Sequence, residues 1–122
     1  MKEKSKSVLV IDDDRAILRA FTRILQRAGF STETAENGKE ALDKIQGRTY
    51  DVALIDVVLG DSSGLDLLPK IEARSPRTVK IMITGADSVE NRTEACRNGA
   101  DAYLTKPVNP EMLLNVFQEK LK

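Results

Sequence analysis

The chain has 122 residues, 41% hydrophobic and 31% charged, and its 19 Lys and Arg balance 19 Asp and Glu to a formal net charge of zero. That is the make-up of one ordinary globular domain with a single core. It supplies no field to draw in nucleic acid, and no apolar run reaches the ~18 residues a membrane span needs. There is no His and one Cys, Cys96. Imidazole chemistry, an internal disulfide and a thiolate metal cluster are therefore excluded, leaving carboxylates, hydroxyls and amines. Cys96 is expected to be a small buried residue. The basic start MKEKSKS leads into an apolar run too short for a secretory signal, so the expected location is cytoplasmic.

In chain order, Ser7 to Ile11 is a continuous aliphatic run of the kind found in parallel strands covered on both faces. It runs straight into Asp12, Asp13 and Asp14, the last placed to open a helix. Ile17, Leu18, Phe21, Ile24, Leu25 and Ala28 recur at helical spacing, and Gly29 follows as a stop. Ser31 to Ala35 is shorter and mixed, as edge strands are. Asn37 with Glu40 forms a capping pair ahead of Ala41, Leu42 and Ile45. Val52 to Ile55 is a second central strand, followed by Asp56 and a loop of small residues in which Asp61, Ser62 and Ser63 read as turn chemistry. Gly64 to Arg74 supplies the third helix and Val79 to Ile83 the fourth strand. Asp87 with Glu90 reads as the cap of a helix ending near Asn98 and Gly99. Ala102 to Leu104 is the fifth strand. Asn109 before Pro110 opens a last helix carrying Leu113, Val116, Phe117 and Leu121.

Five successive βα units joined by right-handed crossovers predict an α/β fold, a doubly wound parallel sheet that binds ligands at the carboxyl ends of its strands. Polar groups stand at four of those ends: Asp12 and Asp13, Asp56, Thr84 and Lys106. Two like charges ~4 Å apart cost about 4 kcal/mol even at an effective dielectric near 20. Three carboxylates facing one lysine therefore call for a hard divalent cation, Mg2+ with Mn2+ as its substitute. Asp56, directly after an apolar strand and open to approach, is the candidate nucleophile for an aspartyl phosphate. Lys106 and Thr84 are placed to stabilise the transferred phosphoryl oxygens.

The stretches VLVIDDD, ENGKEALD, DVALIDVVLGDSSGLDLL, KIMITG and GADAYLTKPV resemble, in order and spacing, the response-regulator receiver domain of two-component signalling, over residues 6 to 121. The resemblance implies a flavodoxin-like sheet of order 2-1-3-4-5 with five helices. It names a sensor histidine kinase or phosphohistidine relay protein as phosphoryl donor. It makes Asp56 the phosphoacceptor, Asp13 the principal metal ligand with Asp12 assisting, and the Val58 carbonyl a further ligand. Thr84, Tyr103 and Lys106 become the signalling set, with a cis bond after Lys106. Phosphorylation then draws Thr84 inward, Tyr103 takes the vacated space, and the surface of the fourth helix, fifth strand and fifth helix changes.

Such a protein catalyses its own phosphorylation and dephosphorylation rather than acting as a conventional enzyme. It signals to a downstream protein or a fused effector domain, and a phosphorylation-dependent dimer is a further expectation. Residues 1–122 are expected to form a single receiver domain with no effector, making no direct contact with nucleic acid or membrane. Three departures stand out. Gly60 takes a position where the family commonly has proline, which implies a looser loop. Gly85 stands at a small-residue position, consistent with close approach of backbone to phosphate. Val58 and Ala86 are apolar and cannot readily position a hydrolytic water. The alternatives are a receiver-like binding module without phosphotransfer and a small Mg2+-dependent aspartyl phosphatase. The intact acids, Thr84 and Lys106 oppose the first. Val58, where such phosphatases carry a second Asp, opposes the second. A flavodoxin relative lacks support because no Ser/Thr-rich phosphate loop follows the first strand.

Overall fold

The computed structural model describes residues 5–121. The aliphatic runs become the middle of a five-stranded parallel sheet ordered β2-β1-β3-β4-β5. Every residue of β1 (Ser7–Ile11) and β3 (Val52–Asp56) is buried, as is all of β4 (Val79–Thr84) except its first residue. The mixed segments β2 (Ser31–Ala35) and β5 (Ala102–Thr105) form the two edges. Three strands run one residue past their expected ends, so Asp56, Thr84 and Thr105 are themselves the last residues of β3, β4 and β5.

Five helices cover the two faces: α1 (Arg15–Arg27), α2 (Gly38–Gly47), α3 (Gly64–Arg74), α4 (Val89–Arg97) and α5 (Pro110–Lys120). Alternate strand residues serve opposite cores, as the two-residue strand period requires. Val8, Val10, Val52, Leu54, Ile81 and Ile83 pack with Leu18, Phe21 and Leu25 of α1 and with Leu113 and Phe117 of α5. On the other face, Leu9, Ile11, Ala53, Ile55 and Met82 meet Ala41 and Ile45 of α2, the apolar stripe of α3, and Ala95 of α4. Because β1 lies between β2 and β3, the chain reverses its winding direction there, and a crevice opens at the carboxyl ends of β1 and β3.

The helix starts follow side-chain chemistry. Asp14 accepts from the amides of Ala16 and Ile17, Asn37 from Glu40, and Asn109 from Glu111 and Met112 with Pro110 opening the helix. At α4 the expectation fails by one residue. Ser88, not Asp87, is the cap and accepts from the Asn91 amide at 3.0 Å. Asp87 instead receives two hydrogen bonds from the Arg92 guanidinium, at 2.7 and 2.8 Å. Cys96 is exposed rather than buried, because the start of α4 turns Ala95 onto the sheet. Gly29 and Gly99, both at φ 96, close α1 and α4 in a backbone region that L side chains avoid. Leu121 lies just past α5 as its C-cap.

Candidate functional site

The crevice gathers the predicted residues. Asp12 and Asp56 are 2% and 6% exposed, whereas Asp13 faces solvent. One carboxylate oxygen from each lies within 4.8 Å of the others. Lys106 reaches in from the end of β5, its Nζ donating to Asp12 Oδ2 at 3.0 Å and to Asp56 Oδ2 at 2.9 Å. Backbone geometry fixes its origin: the Lys106 amide donates to the Thr84 carbonyl at 2.8 Å, and the bond to Pro107 is cis. The remaining carboxylate oxygens are held from below. Asp12 Oδ1 accepts from the Asp14 amide at 2.9 Å and Asp56 Oδ1 from the Val58 amide at 3.2 Å.

This arrangement concentrates negative charge. Burial pushes the Asp12 carboxyl above its ordinary value, the nearby Asp56 charge adds to the rise, and the Asp14 amide and Lys106 offset part of it. Burial pulls the Lys106 ammonium down, but its hydrogen bonds to Asp56 and Asp12 outweigh that and hold it above the usual lysine range. Three carboxylates against one ammonium leave a surplus of two negative charges around an all-oxygen donor set. Asp13 keeps one side open to water. That is the donor chemistry and access a small divalent cation uses.

Thr84 is fully buried, and its hydroxyl accepts from the Ala86 amide at 2.8 Å. Met82 and Thr84 share a sheet face, and Tyr103 pairs with Met82 in register. Tyr103 is thus a diagonal neighbour of Thr84 on the side covered by α3 and α4. Its hydroxyl is buried without a hydrogen-bond partner among the described residues. Burial pushes its phenol up in pKa, with the Asp87 charge adding to the rise. The Arg92 guanidinium sits 5.3 Å from the centre of its ring.

The loop after Asp56 is held rather than loose. Val58 and Ser63 form a bridge, the Gly64 amide donates to the Val57 carbonyl at 2.7 Å, and Leu59 is buried. Gly60 stands at φ 70, which proline cannot adopt, so glycine here specifies a turn. Asp61 takes part in the expected turn chemistry, accepting from the Ser62 hydroxyl at 3.0 Å, and does more. Its carboxylate accepts from the amides of Gly38 and Lys39 at 3.0 and 3.3 Å and ties the loop to the start of α2. Those bonds, the Gly38 amide first, hold the Asp61 carboxyl below the ordinary value. Gly85, in contrast, has open space where a Cβ would stand. Val58 turns its side chain to solvent, 55% exposed.

Sequence reasoning missed Gly64. A Cβ there would lie 1.9 Å from the Asp56 carbonyl oxygen and 2.8 Å from its carbon, so α3 begins against the backbone of the acid itself. A glycine opening a helix was visible in the sequence; its partner eight residues back was not.

The sequence profile of the response regulator receiver domain matches residues 8–118. The chain belongs to that family. It is similar to a CheY-like receiver domain protein from Methanospirillum hungatei, with 43% identity and a TM-score of 0.94 over 96% of this chain and 94% of that one. A response regulator from Burkholderia pseudomallei, solved with a phosphorylated aspartic acid, calcium ion and citrate, shares 31% identity at a TM-score of 0.87, over 95% of this chain and 73% of that one. The acid tolerance regulatory protein ActR of Sinorhizobium medicae is 38% identical over 109 residues, 89% of this chain and 56% of its own length. The alginate regulator AlgB of Pseudomonas aeruginosa is 33% identical over 91% of this chain and 25% of its own length. The receiver domain thus spans between a quarter and just over half of these two curated relatives. It has the flavodoxin-like fold and strand order of its structural neighbours, and it is of the kind that switches response regulators by phosphorylation. Response regulators act with histidine kinases and often carry effector domains. Among the described residues, no helix is long and apolar enough to cross a membrane.

Proposed function

We propose that this receiver domain takes a phosphoryl group on Asp56 from a sensor histidine kinase or a phosphohistidine relay protein. The observation that carries the reading is the Asp56 carboxylate: buried at the end of β3, oriented by Lys106 and the Val58 amide, and crowded by Asp12 and Asp13. An Asp56 oxygen forms the new P–O bond as the donor's P–N bond breaks, and the released imidazole takes a proton from water. Lys106, already bridging Asp12 and Asp56, neutralises charge on the phosphoryl oxygens as they arrive. The Thr84 hydroxyl accepts from the Ala86 amide and still has its own O–H to donate, so it can turn that proton to a phosphoryl oxygen.

Asp12, Asp13 and Asp56 with the Val58 carbonyl would hold Mg2+, or Mn2+ in its place; once bound, the ion adds charge neutralisation at the phosphoryl oxygens. An apolar cleft of about 380 Å³ beside Lys106, lined by Ile17, Ala20, Phe21, Pro107 and Val108, gives the donor protein a seat next to the acceptor. When Thr84 turns inward, the space it vacates opens to the Tyr103 ring, its diagonal neighbour across β4 and β5. The α4, β5 and α5 surface then differs between the two states, for a downstream protein, a fused effector domain or a second phosphorylated copy to read. The setting for this chemistry is the cytoplasm, and residues 6–121 act as one receiver unit.

Incubation with Mg2+ and acetyl phosphate followed by intact mass spectrometry tests the assignment. The wild type gains one phosphoryl group, Asp56→Asn gains none, and chelation of the metal abolishes the gain. An undiminished gain in Asp56→Asn, or sustained turnover of phosphate esters with no bound phosphoryl group, overturns it.

A further inference from the structure

The groove between α1 and β2, about 780 Å³, is lined by none of the acids of the pocket and is left unused by phosphotransfer. One wall is an arginine ladder: Arg15, Arg19, Arg23 and Arg27 recur every four residues along α1 and all line the groove. Like charges at this spacing repel. Glu36 answers Arg15 at 2.9 Å, but among the described residues Arg19, Arg23 and Arg27 have no carboxylate within 4 Å. A protein of zero net charge has therefore gathered three unanswered arginines on one exposed face.

The other wall is a sheet edge. The Ser31 amide donates to Lys6 and the Ala35 carbonyl accepts from Asp12, so the odd residues of β2 turn their backbone toward β1. Thr32 and Thr34 therefore present theirs outward. Lys44 covers the Thr34 carbonyl, while the Thr32 amide and carbonyl and the Thr34 amide stay open for a further strand. The hydroxyls of Thr22 and Thr32, both in the groove, are buried without a hydrogen-bond partner among the described residues.

The two walls share a pitch. Four helical residues rise ~6 Å, so Arg19 to Arg27 spans about 12 Å. Alternate strand residues repeat every ~6.6 Å, so three of them span about 13 Å. We propose that this groove binds an extended segment of a partner protein that carries Asp or Glu at every second position and adds to the sheet beside β2. Its backbone bonds to Thr32 and Thr34, and its three carboxylates meet Arg19, Arg23 and Arg27. Charge complementarity names the occupant, and matching spacing sets its pattern. The lining of the groove includes none of Asp12, Asp13, Asp56, Thr84 and Lys106.

A labelled peptide, Thr-Glu-Val-Glu-Val-Glu-Thr, titrated by fluorescence anisotropy against the intact protein tests this, beside an isomer with its three Glu consecutive. The alternating peptide binds about tenfold tighter than the block isomer. Arg19→Ala, Arg23→Ala and Arg27→Ala each weaken binding about two- to fivefold. Peptide also slows exchange of the Thr32 amide. These arginines are exposed, and an unchanged thermal melt of each variant confirms that it folds. Absence of binding, equal affinity for the two isomers or an unprotected Thr32 amide overturns the proposal. So does tighter binding of a single-stranded oligonucleotide of equal charge, which makes the groove a nucleic-acid surface.

Discussion

Asp56 stands between two loops built in opposite ways. The loop after β3 is pinned at both ends: Gly64 presses on the Asp56 carbonyl, Val58 bridges Ser63, and Asp61 is tied to the start of α2. It feeds α3, which buries Leu65, Leu67, Leu68 and Ile71. Four such side chains contribute roughly 6–12 kcal/mol of burial. The loop after β4 feeds α4, which buries Ala95, while Val89 stands 76% exposed. Its polar fastening, Asp87 with Arg92, lies at the surface. The difference separates two tasks. Phosphoryl transfer needs a carboxylate that does not wander, whereas signalling needs an element with two arrangements close in free energy. On the proposed function, the rigid side would hold the nucleophile and the lightly packed side would be the one free to rearrange.

The largest effect on this contrast comes from tightening the rigid side beyond what it can bear. Gly64→Ala forces a methyl group into the Asp56 backbone, where helix and strand must part. We expect a loss of about 3 kcal/mol, at the upper end for overpacking because the obstacle is backbone. Phosphoryl uptake should fall with it, since the displaced atoms belong to the proposed acceptor. Gly47→Ala is the control: nothing lies within 4 Å of its Cβ position, and that protein should be more stable by about 0.4–1 kcal/mol. Urea denaturation beside acetyl phosphate labelling checks both. Equal stability of the two variants would show that the α3 start is free to move.

A smaller, reversible loosening comes from acid. The folded protein holds the Asp61 carboxyl below its ordinary value of 3.8, so the unfolded chain binds that proton more readily. The tie between loop and α2 is therefore complete above pH 3.8 and is lost as the pH falls through the depressed folded value. Exchange at the Gly38 and Lys39 amides should quicken over that window in the wild type. In Asp61→Ala it should be fast at neutral pH already. Slow exchange at both amides in that variant would show that the tie does not hold the loop.

Legibility follows the range of the interactions. Aliphatic runs, helix stripes and the caps at Asp14, Asn37 and Asn109 are local, and sequence reading recovers them. The acids, Thr84 and Lys106 were legible as residues at strand ends. Periodicity does not set strand order; the family resemblance supplied it. What escaped depends on distant partners. Asp61 looks like a turn residue until the amides of α2, 23 residues away, are brought beside it. Gly64 looks like a permissive helix start until Asp56 lies against it. The errors at Ser88 and Cys96 share another cause: α4 has so little apolar pattern that neither its first residue nor its buried face is marked. Weak amphipathicity made the helix hard to read for the same reason that it leaves the helix loosely held.

The smallest expected effect tests that lightly packed side. Arg92 spans Asp87 and the Tyr103 ring, hydrogen-bonded to one and stacked over the other. It is surface-exposed, so Arg92→Ala should leave the unfolding midpoint nearly unchanged. Locally, two signals should move. The Asp87 carboxyl, held down first by its hydrogen bond from Arg92, should titrate nearer the ordinary 3.8. The Tyr103 ring, no longer covered, should sample a second environment, visible as exchange broadening of its aromatic resonances. A sharp, unshifted Tyr103 spectrum in this variant would mean that packing beneath the ring, not the arginine above it, sets its position. The bias between states would then lie in the space beside Thr84 rather than on α4.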